Sequence, residues 1–472
     1  MTTNLKGSEK KKIKVPHTYV ILFSVILIMA ILTYIIPAGE YDRVKDEVSN
    51  KTVVVPTSFH AVDQNPVKFF DLFQSIPKGM KDASSIIFFI FIVGGAFQMI
   101  TATGAIEAGI GKLAKVSQGS EKILIPLFIV AFSIAGGTFG MAEETIVFVP
   151  IGIALARALG YDAITGTAMI SLGAACGFTS GFMNPFTVGV AQKISELPLF
   201  SGIWIRIAFL VIFLVITITY TMRYAEKVKR DPSLSIVREL EIEEKDRVID
   251  LSNLPELKPH HKLVLATVII GFTFIIWGVF KKGWYITEIG AAFLAMGIIG
   301  GFIGKLGPSR LAQEFVIGAK SIVFGALVVG VARGILVVMK DGMILDSIVY
   351  GLASAIQALP KSISVVGMYI TQVIINFFIP SGSGQAAATM PIMKPLADIL
   401  GVTRQTAVVA YQFGDGFTNS IIPTSATLMG VLSVAKIPYE KWFRFLWPLM
   451  LIWLGVGAVL VVIVNAMNFG PF

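Results

Sequence analysis

Two stretches of this chain answer each other, and they constrain its fold more than any other feature. The first reads Gly136-Gly-Thr-Phe-Gly-Met-Ala-Glu-Glu-Thr-Ile-Val-Phe-Val-Pro150, the second Phe377-Phe-Ile-Pro-Ser-Gly-Ser-Gly-Gln-Ala-Ala-Ala-Thr-Met-Pro391. Each lies inside apolar sequence, is small at its centre and leaves through Pro-Ile, and the two prolines are 241 residues apart. Both halves then repeat a second signature, Gly177-Phe-Thr-Ser-Gly-Phe-Met-Asn-Pro185 and Gly416-Phe-Thr-Asn-Ser-Ile-Ile-Pro423, with the glycines 239 residues apart. Upstream, Gly104 and Gly342 are 238 apart, and each ends an apolar run and opens an amphipathic one. Interrupted apolar segments in matching positions of two halves point to the binding site of a transporter.

The surrounding sequence fixes the solvent. The chain is 55% hydrophobic and 15% charged, with a mean hydropathy of +0.77, whereas soluble domains carry about 25% charged residues. The apolar runs approach the ~20 residues that span a bilayer as helix, too long for transmembrane strands. An all-α polytopic membrane protein is expected. Its net charge of +9 reads as cytoplasmic flanks against membrane lipid rather than as a nucleic-acid surface. The single cysteine, Cys176, excludes an intrachain disulfide, and His17, His60, His260 and His261 form no metal-ligand cluster with it. The first apolar run, Tyr19 to Ile36, lacks a small-residue cleavage site and is expected to remain as a span.

The Lys/Arg distribution orders the chain. Residues 1–223 are expected to form the first membrane repeat. A basic cytoplasmic N-terminus leads to spans 17–37 and 85–103, with 66–80 along the interface and 104–116 on the inner surface. A re-entrant hairpin (122–158) enters from the cytoplasm, followed by a broken span (163–195) and span 202–223. Residues 224–262 are the charged cytoplasmic linker; from Arg223 to Lys262 nine Lys/Arg balance nine Asp/Glu, as in a solvated helix or loop. Residues 263–472 form the second repeat, with spans 263–280, 284–304 and 318–339 and an outer amphipathic segment, 342–359. A hairpin (363–397) entering from outside, a broken span (402–434) and span 446–466 complete it, leaving the C-terminus outside. Lys281-Lys282 fall on the outer side, against a bias the other cations follow. Matching elements thus run in opposite directions, an inverted-topology repeat. Trp204, Trp277, Trp284, Trp442 and Trp447 near span ends read as interface anchors.

Few residues could carry chemistry. Glu143 and Glu144 sit at the expected tip of the first hairpin. Carboxylates at bilayer depth are costly unless they meet water or a cation, so they mark a cation site, or else the tip reaches solvent. The aligned positions of the second tip are Gly384-Gln385, which makes the site asymmetric. Asp415 lies between Gly414 and Gly416, where the backbone can unwind and expose carbonyls; a capping role is the alternative. Arg333 is an intramembrane arginine whose fork suits a carboxylate, either a substrate's or that of Glu143, Glu144 or Asp415. Thr179, Ser180, Asn184, Thr187, Ser381, Ser383, Thr418, Asn419, Thr424 and Ser425 offer neutral donors and acceptors, or serve helix packing. A coupling Na⁺ could sit near Asn184, Asp415 and Asn419. No phosphate-cradling glycine loop and no nucleophile elbow is present. The chain is therefore expected to be no enzyme and to need no cofactor, with Na⁺ or H⁺ open as the coupling ion.

At these residues the chain resembles the YfcC-type branch of the anaerobic dicarboxylate-carrier family, within the ion-transporter superfamily. The resemblance covers essentially the whole chain and rests on Gly137-Thr-Phe-Gly-Met-Ala-Glu-Glu144, Gly177 to Pro185, Pro380-Ser-Gly-Ser-Gly-Gln385 and Gly414-Asp-Gly-Phe-Thr-Asn419. It implies a homodimer in the bacterial cytoplasmic membrane, with an elevator-type transport domain built from 122–197 and 363–434. The branch includes arginine/ornithine antiporters, and the family name comes from carriers of four-carbon dicarboxylates. The Ser-Asn-Thr tips of the superfamily's dicarboxylate carriers appear at neither hairpin here. Three acids and one arginine near the breaks fit a zwitterion with a cationic side chain. The expected function is therefore exchange of basic amino acids such as arginine and ornithine. The alternative is Na⁺- or H⁺-coupled symport of small carboxylates.

Overall fold

The computed structural model describes residues 18–46, 51–106, 108–109, 112, 121–184, 186–243, 257–282, 284 and 286–470. Most of the expected 104–116 segment, and Pro185 of the first signature, lie outside them. Helices dominate, but the fold is not all-α. Between the first two helices the chain builds two antiparallel two-stranded ribbons, Gly39–Glu40 with His60–Ala61 and Arg43–Asp46 with Lys51–Val54. The sequence there alternates polar and β-branched residues and is too polar to span. Asp346 anchors the ribbons by accepting from the Tyr41 amide at 3.0 Å and from Arg43 Nη2 at 2.8 Å.

Among the described residues five helices are long and apolar enough to cross a membrane: Ser84–Thr101, Ala163–Ser180, Ile203–Arg230, Ile286–Ile303 and Tyr439–Ala466. The expected span 318–339 is not one straight helix. Pro308–Ser321 and Ala326–Asp341 meet at a 44° bend, and the first piece buries only Leu311, Glu314 and Gly318. Residues 66–80 behave alike. The helix Phe69–Asp82 ends where Ser84–Thr101 begins, with Phe69 and Phe70 exposed.

The same order of elements runs through both halves, and so does their pairing. Phe69–Asp82 packs on Val323–Asp341 as Pro308–Ser321 packs on Ser84–Thr101. Thr18–Leu32 lies against Val323–Asp341 as Ile286–Ile303 lies against Ser84–Thr101. The helix Pro259–Lys282 stands outside this correspondence and packs on Ile286–Ile303. Each broken span is the centre of its half. Ala163–Ser180 packs against both arms of the first hairpin, Glu121–Phe139 and Thr145–Ala158. Arg404–Thr418 packs likewise against Lys361–Phe378 and Gly382–Leu400, and the two central helices touch. Both start alike: a left-handed glycine (Gly160, φ +85°; Gly401, φ +67°), then a side-chain cap, Asp162 accepting from Thr165 and Thr403 from Thr406.

The linker departs from a solvated segment over the part described. Helix Ile203–Arg230 runs on past its apolar stretch, and residues 231–243 fold back on the first half. Val237 is buried, Glu241 pairs with Arg157 at 2.8 Å, and Ser235 and Tyr224 donate to Asp162. Trp442 is no interface anchor: it is fully buried, and its Nε1 donates to the Ser420 carbonyl at 2.9 Å. Trp204, at 81% exposure, does face outward.

Candidate functional site

The two hairpin tips and the two helix breaks meet around a cavity of about 520 Å³. Small residues make the meeting possible. At the first tip the helix stops at Phe139, and Gly140 takes φ +69° with Asn184 Oδ1 only 2.6 Å from where a Cβ would stand. Only glycine combines that conformation with that approach. One helix layer away, a Cβ on Gly177 would strike the Ser133 carbonyl, so the broken span lies directly on the hairpin arm.

The tips cross over to the opposite half. Glu143 comes within reach of Thr427, in the first turn of Ala426–Ala435 beyond the second break. Reciprocally, Gly382 of the second tip lies against Thr187 of the first break, where its added Cβ would also stand 3.2 Å from Asp415 Oδ2. Neither crossing is visible in local sequence, because each joins residues more than 190 apart.

The expected residues divide into lining and wall. Glu143, Glu144, Arg333, Ser381, Ser383, Asn419 and Thr424, with Thr187 and Ser425, line the cavity. Glu144 Oε2 accepts from the Ala142 amide at 3.0 Å, which holds the tip turn. Thr179, Ser180, Asn184, Gln385, Asp415 and Thr418 are buried in the wall behind. Asn184 Oδ1 accepts from the amides of Phe186 and Thr187 and shapes the first break. Gln385 donates to Gln372 and its backbone carbonyl at 2.8 and 2.9 Å, clamping the second hairpin's arms together. Asp415 Oδ1 accepts from Asn419 at 3.2 Å, while among the described residues its Oδ2 has no partner although the residue is fully buried. Among the described residues Thr179 Oγ1, Thr187 Oγ1 and Asn184 Nδ2 are also buried without partners.

Arg333 meets a different acid from those expected. Its Nε lies 4.0 Å from Asp82 Oδ2, and Asp82 also lines the cavity. The helix Phe69–Asp82 ends at that acid and packs on Val323–Asp341, the helix that carries Arg333. Sequence reading passed over Asp82 as a polar residue at a helix end. It also passed over Asn376, whose Nδ2 bonds the Asp415 carbonyl, Thr418 Oγ1 and Asn419 Oδ1 at 3.0, 2.7 and 3.0 Å. Gln372 and Asn376, four apart in an apolar helix, were the available signal. The lining therefore carries three carboxylates, Asp82, Glu143 and Glu144, against one guanidinium.

The model of the C4-dicarboxylate anaerobic carrier family matches residues 15–466. The chain belongs to that family. It is 35% identical over 481 residues to YfcC of Escherichia coli (strain K12), whose name proposes a basic amino acid antiporter; the match covers 94% of this chain and 95% of that one. A protein of Haemophilus influenzae (strain ATCC 51907 / DSM 11121 / KW20 / Rd) is 30% identical, over 97% and 98% of the two chains. Two solved transporters, YdaH of Alcanivorax borkumensis and MtrF of Neisseria gonorrhoeae, are each 16% identical, with TM-scores of 0.41 and 0.42. They cover 97% and 96% of this chain, and 100% and 95% of their own. With its apolar helices, this family member is a multi-pass membrane transporter and not an enzyme.

Proposed function

We propose that this transporter exchanges basic amino acids, of the arginine/ornithine class, across the bacterial cytoplasmic membrane. The observation that carries the reading is the charge of the cavity lining: Asp82, Glu143 and Glu144 outnumber Arg333. A guanidinium or ammonium leaves water only where a placed carboxylate compensates it. The name of the Escherichia coli relative agrees with this reading. The substrate's cationic end then meets Glu143 and Glu144. Its carboxylate meets Ser381, Ser383 and the start of helix Gly382–Leu400, whose partial positive charge favours an anion. Arg333 and Asp82 also line this cavity.

The same proposal holds the two halves to be an inverted repeat, the hairpins and broken spans to move as one elevator-type unit, and the protein to be a homodimer. The N-terminus is cytoplasmic and the C-terminus outside. Single cysteines at Ala142 and Ser383, in a Cys176→Ser background, test the topology. Labelling of both from the same face in whole cells and inverted vesicles, in every condition, sinks it.

A second reading has its own support. Among the described residues Asp415 Oδ2, Thr179 Oγ1 and Thr187 Oγ1 are buried oxygens left without partners near the breaks, a set that suits a coupling cation such as Na⁺ in a symporter of small dicarboxylates. Uptake into proteoliposomes preloaded with ornithine, succinate or nothing decides between the two. Arginine uptake that requires internal ornithine is expected; succinate uptake driven by a Na⁺ gradient, with arginine ignored, replaces the first reading by the second.

A further inference from the structure

Away from the cavity, Arg206 is completely buried. It occupies the first turn of Ile203–Arg230, whose N-cap, Gly202, supplies no side chain to the free amides of that turn. Among the described residues its Nε and Nη1 have no partner, and its Nη2 reaches only Gln405 Oε1, at 3.5 Å. That oxygen is shared with Gln192 Nε2, at 3.4 Å, so both contacts are at the weak end of hydrogen bonding. Gln405 itself stands in the first turn of Arg404–Thr418. A permanent cation thus sits where two helix N-termini converge, and among the described residues no carboxylate pairs with it. The nearby ion pairs of Arg404 and Lys394 with Glu196, and of Arg404 with Asp398, do not include it.

A guanidinium cannot shed its proton to escape burial. Neutral amide oxygens at such distances do not compensate it, and the two helix dipoles add positive potential. We infer that the Arg206 guanidinium, at the junction of these two helix starts, holds a small monovalent inorganic anion, chloride, locking the broken span of the second half to the first. Full enclosure favours a compact sphere over a branched or divalent anion. Chloride also accepts N–H donors from several directions without preference, which suits Arg206 and the uncapped turn together.

Thermal unfolding of the purified full-length protein in detergent tests this, at constant ionic strength with sodium gluconate replaced stepwise by sodium chloride. Chloride and bromide are expected to raise the midpoint saturably in the wild type, and sulfate is not. In Arg206→Gln the apparent chloride affinity falls at least about tenfold, as expected for loss of a buried charge partner. Arg206→Lys keeps a weakened response. Equal midpoints in chloride and gluconate, or an undiminished chloride response in Arg206→Gln, overturns the proposal. Should Arg206→Gln fail to fold, chlorine-35 NMR line broadening by the wild type, competed away by bromide, is the expected result, and its absence is equally fatal. The measurement involves no transported substrate, so it stands or falls apart from the proposed exchange.

Discussion

The two hairpin tips hold corresponding places in the two halves and are chemically opposite. The first is a turn of five residues, Gly140 to Glu144, between helix ends, and it brings two carboxylates to the cavity. The second is shorter: helix Gly382–Leu400 begins at once, capped by Ser381, which accepts from the Gly384 amide at 3.4 Å. Its contribution is hydroxyls, backbone amides and the positive end of a helix. Corresponding positions of the two halves thus bring different chemistry to one cavity, carboxylates from the first and neutral donors from the second. Under the exchange proposed above, a ligand that carries both charges uses both tips. The difference also sets what each tip's removal should cost.

The largest effect should come from the acidic tip. Glu143→Gln or Glu144→Gln is expected to leave a transported guanidinium unpaired, a loss of about 3–5 kcal/mol, or more than a hundredfold in arginine affinity. Exchange measured in proteoliposomes checks this, and unchanged exchange in both variants breaks the contrast between the tips. Asp415 sharpens it next. Asp415→Asn, behind the second tip, should alter Na⁺ or H⁺ dependence by roughly tenfold in cation affinity, about 1.4 kcal/mol, while selectivity for cationic substrates stays. A switch in substrate charge would instead put Asp415 in the substrate site. The neutral tip should matter less. Ser381→Ala or Ser383→Ala removes one hydrogen bond each, about 1 kcal/mol. Competition by arginine should weaken about fivefold, and competition by its decarboxylated amine should not. Equal weakening of both would disconnect this tip from the carboxylate. The smallest effect is structural. Trp442→Phe forfeits the bond to Ser420 beneath the second break, about 1 kcal/mol of stability, visible as a slightly lower unfolding temperature at near-normal exchange.

Much of the candidate site could be read directly from residues. Glu143, Glu144, Ser381, Ser383, Asn419 and Thr424 sit in interrupted apolar segments, and all of them line one cavity. An ionisable or hydroxyl-rich interruption at membrane depth is costly enough to announce itself. The residues that escaped reading follow another rule. Asp82 looks like an ordinary helix-end residue and Asn376 like a stray amide in an apolar helix, and their roles depend on which distant helix lies beside them. Arg333 was visible, but its neighbour was not.

By itself the sequence determined the solvent, the helices, the breaks and the paired order of elements. Each of these follows from local hydropathy, from glycine and proline, and from spacing within one chain segment. It also announced the family through its motifs. Only the tertiary structure decided how those parts meet. Glu143 reaches Thr427, Gly382 rests on Thr187, Arg333 faces Asp82, the linker's Glu241 returns to Arg157, and a polar segment short of membrane length closes into ribbons. Such contacts join residues separated by up to hundreds of positions. They are selected by close packing of whole helix faces, where a glycine admits a neighbouring backbone and a bulkier residue refuses it, and no local pattern encodes that choice.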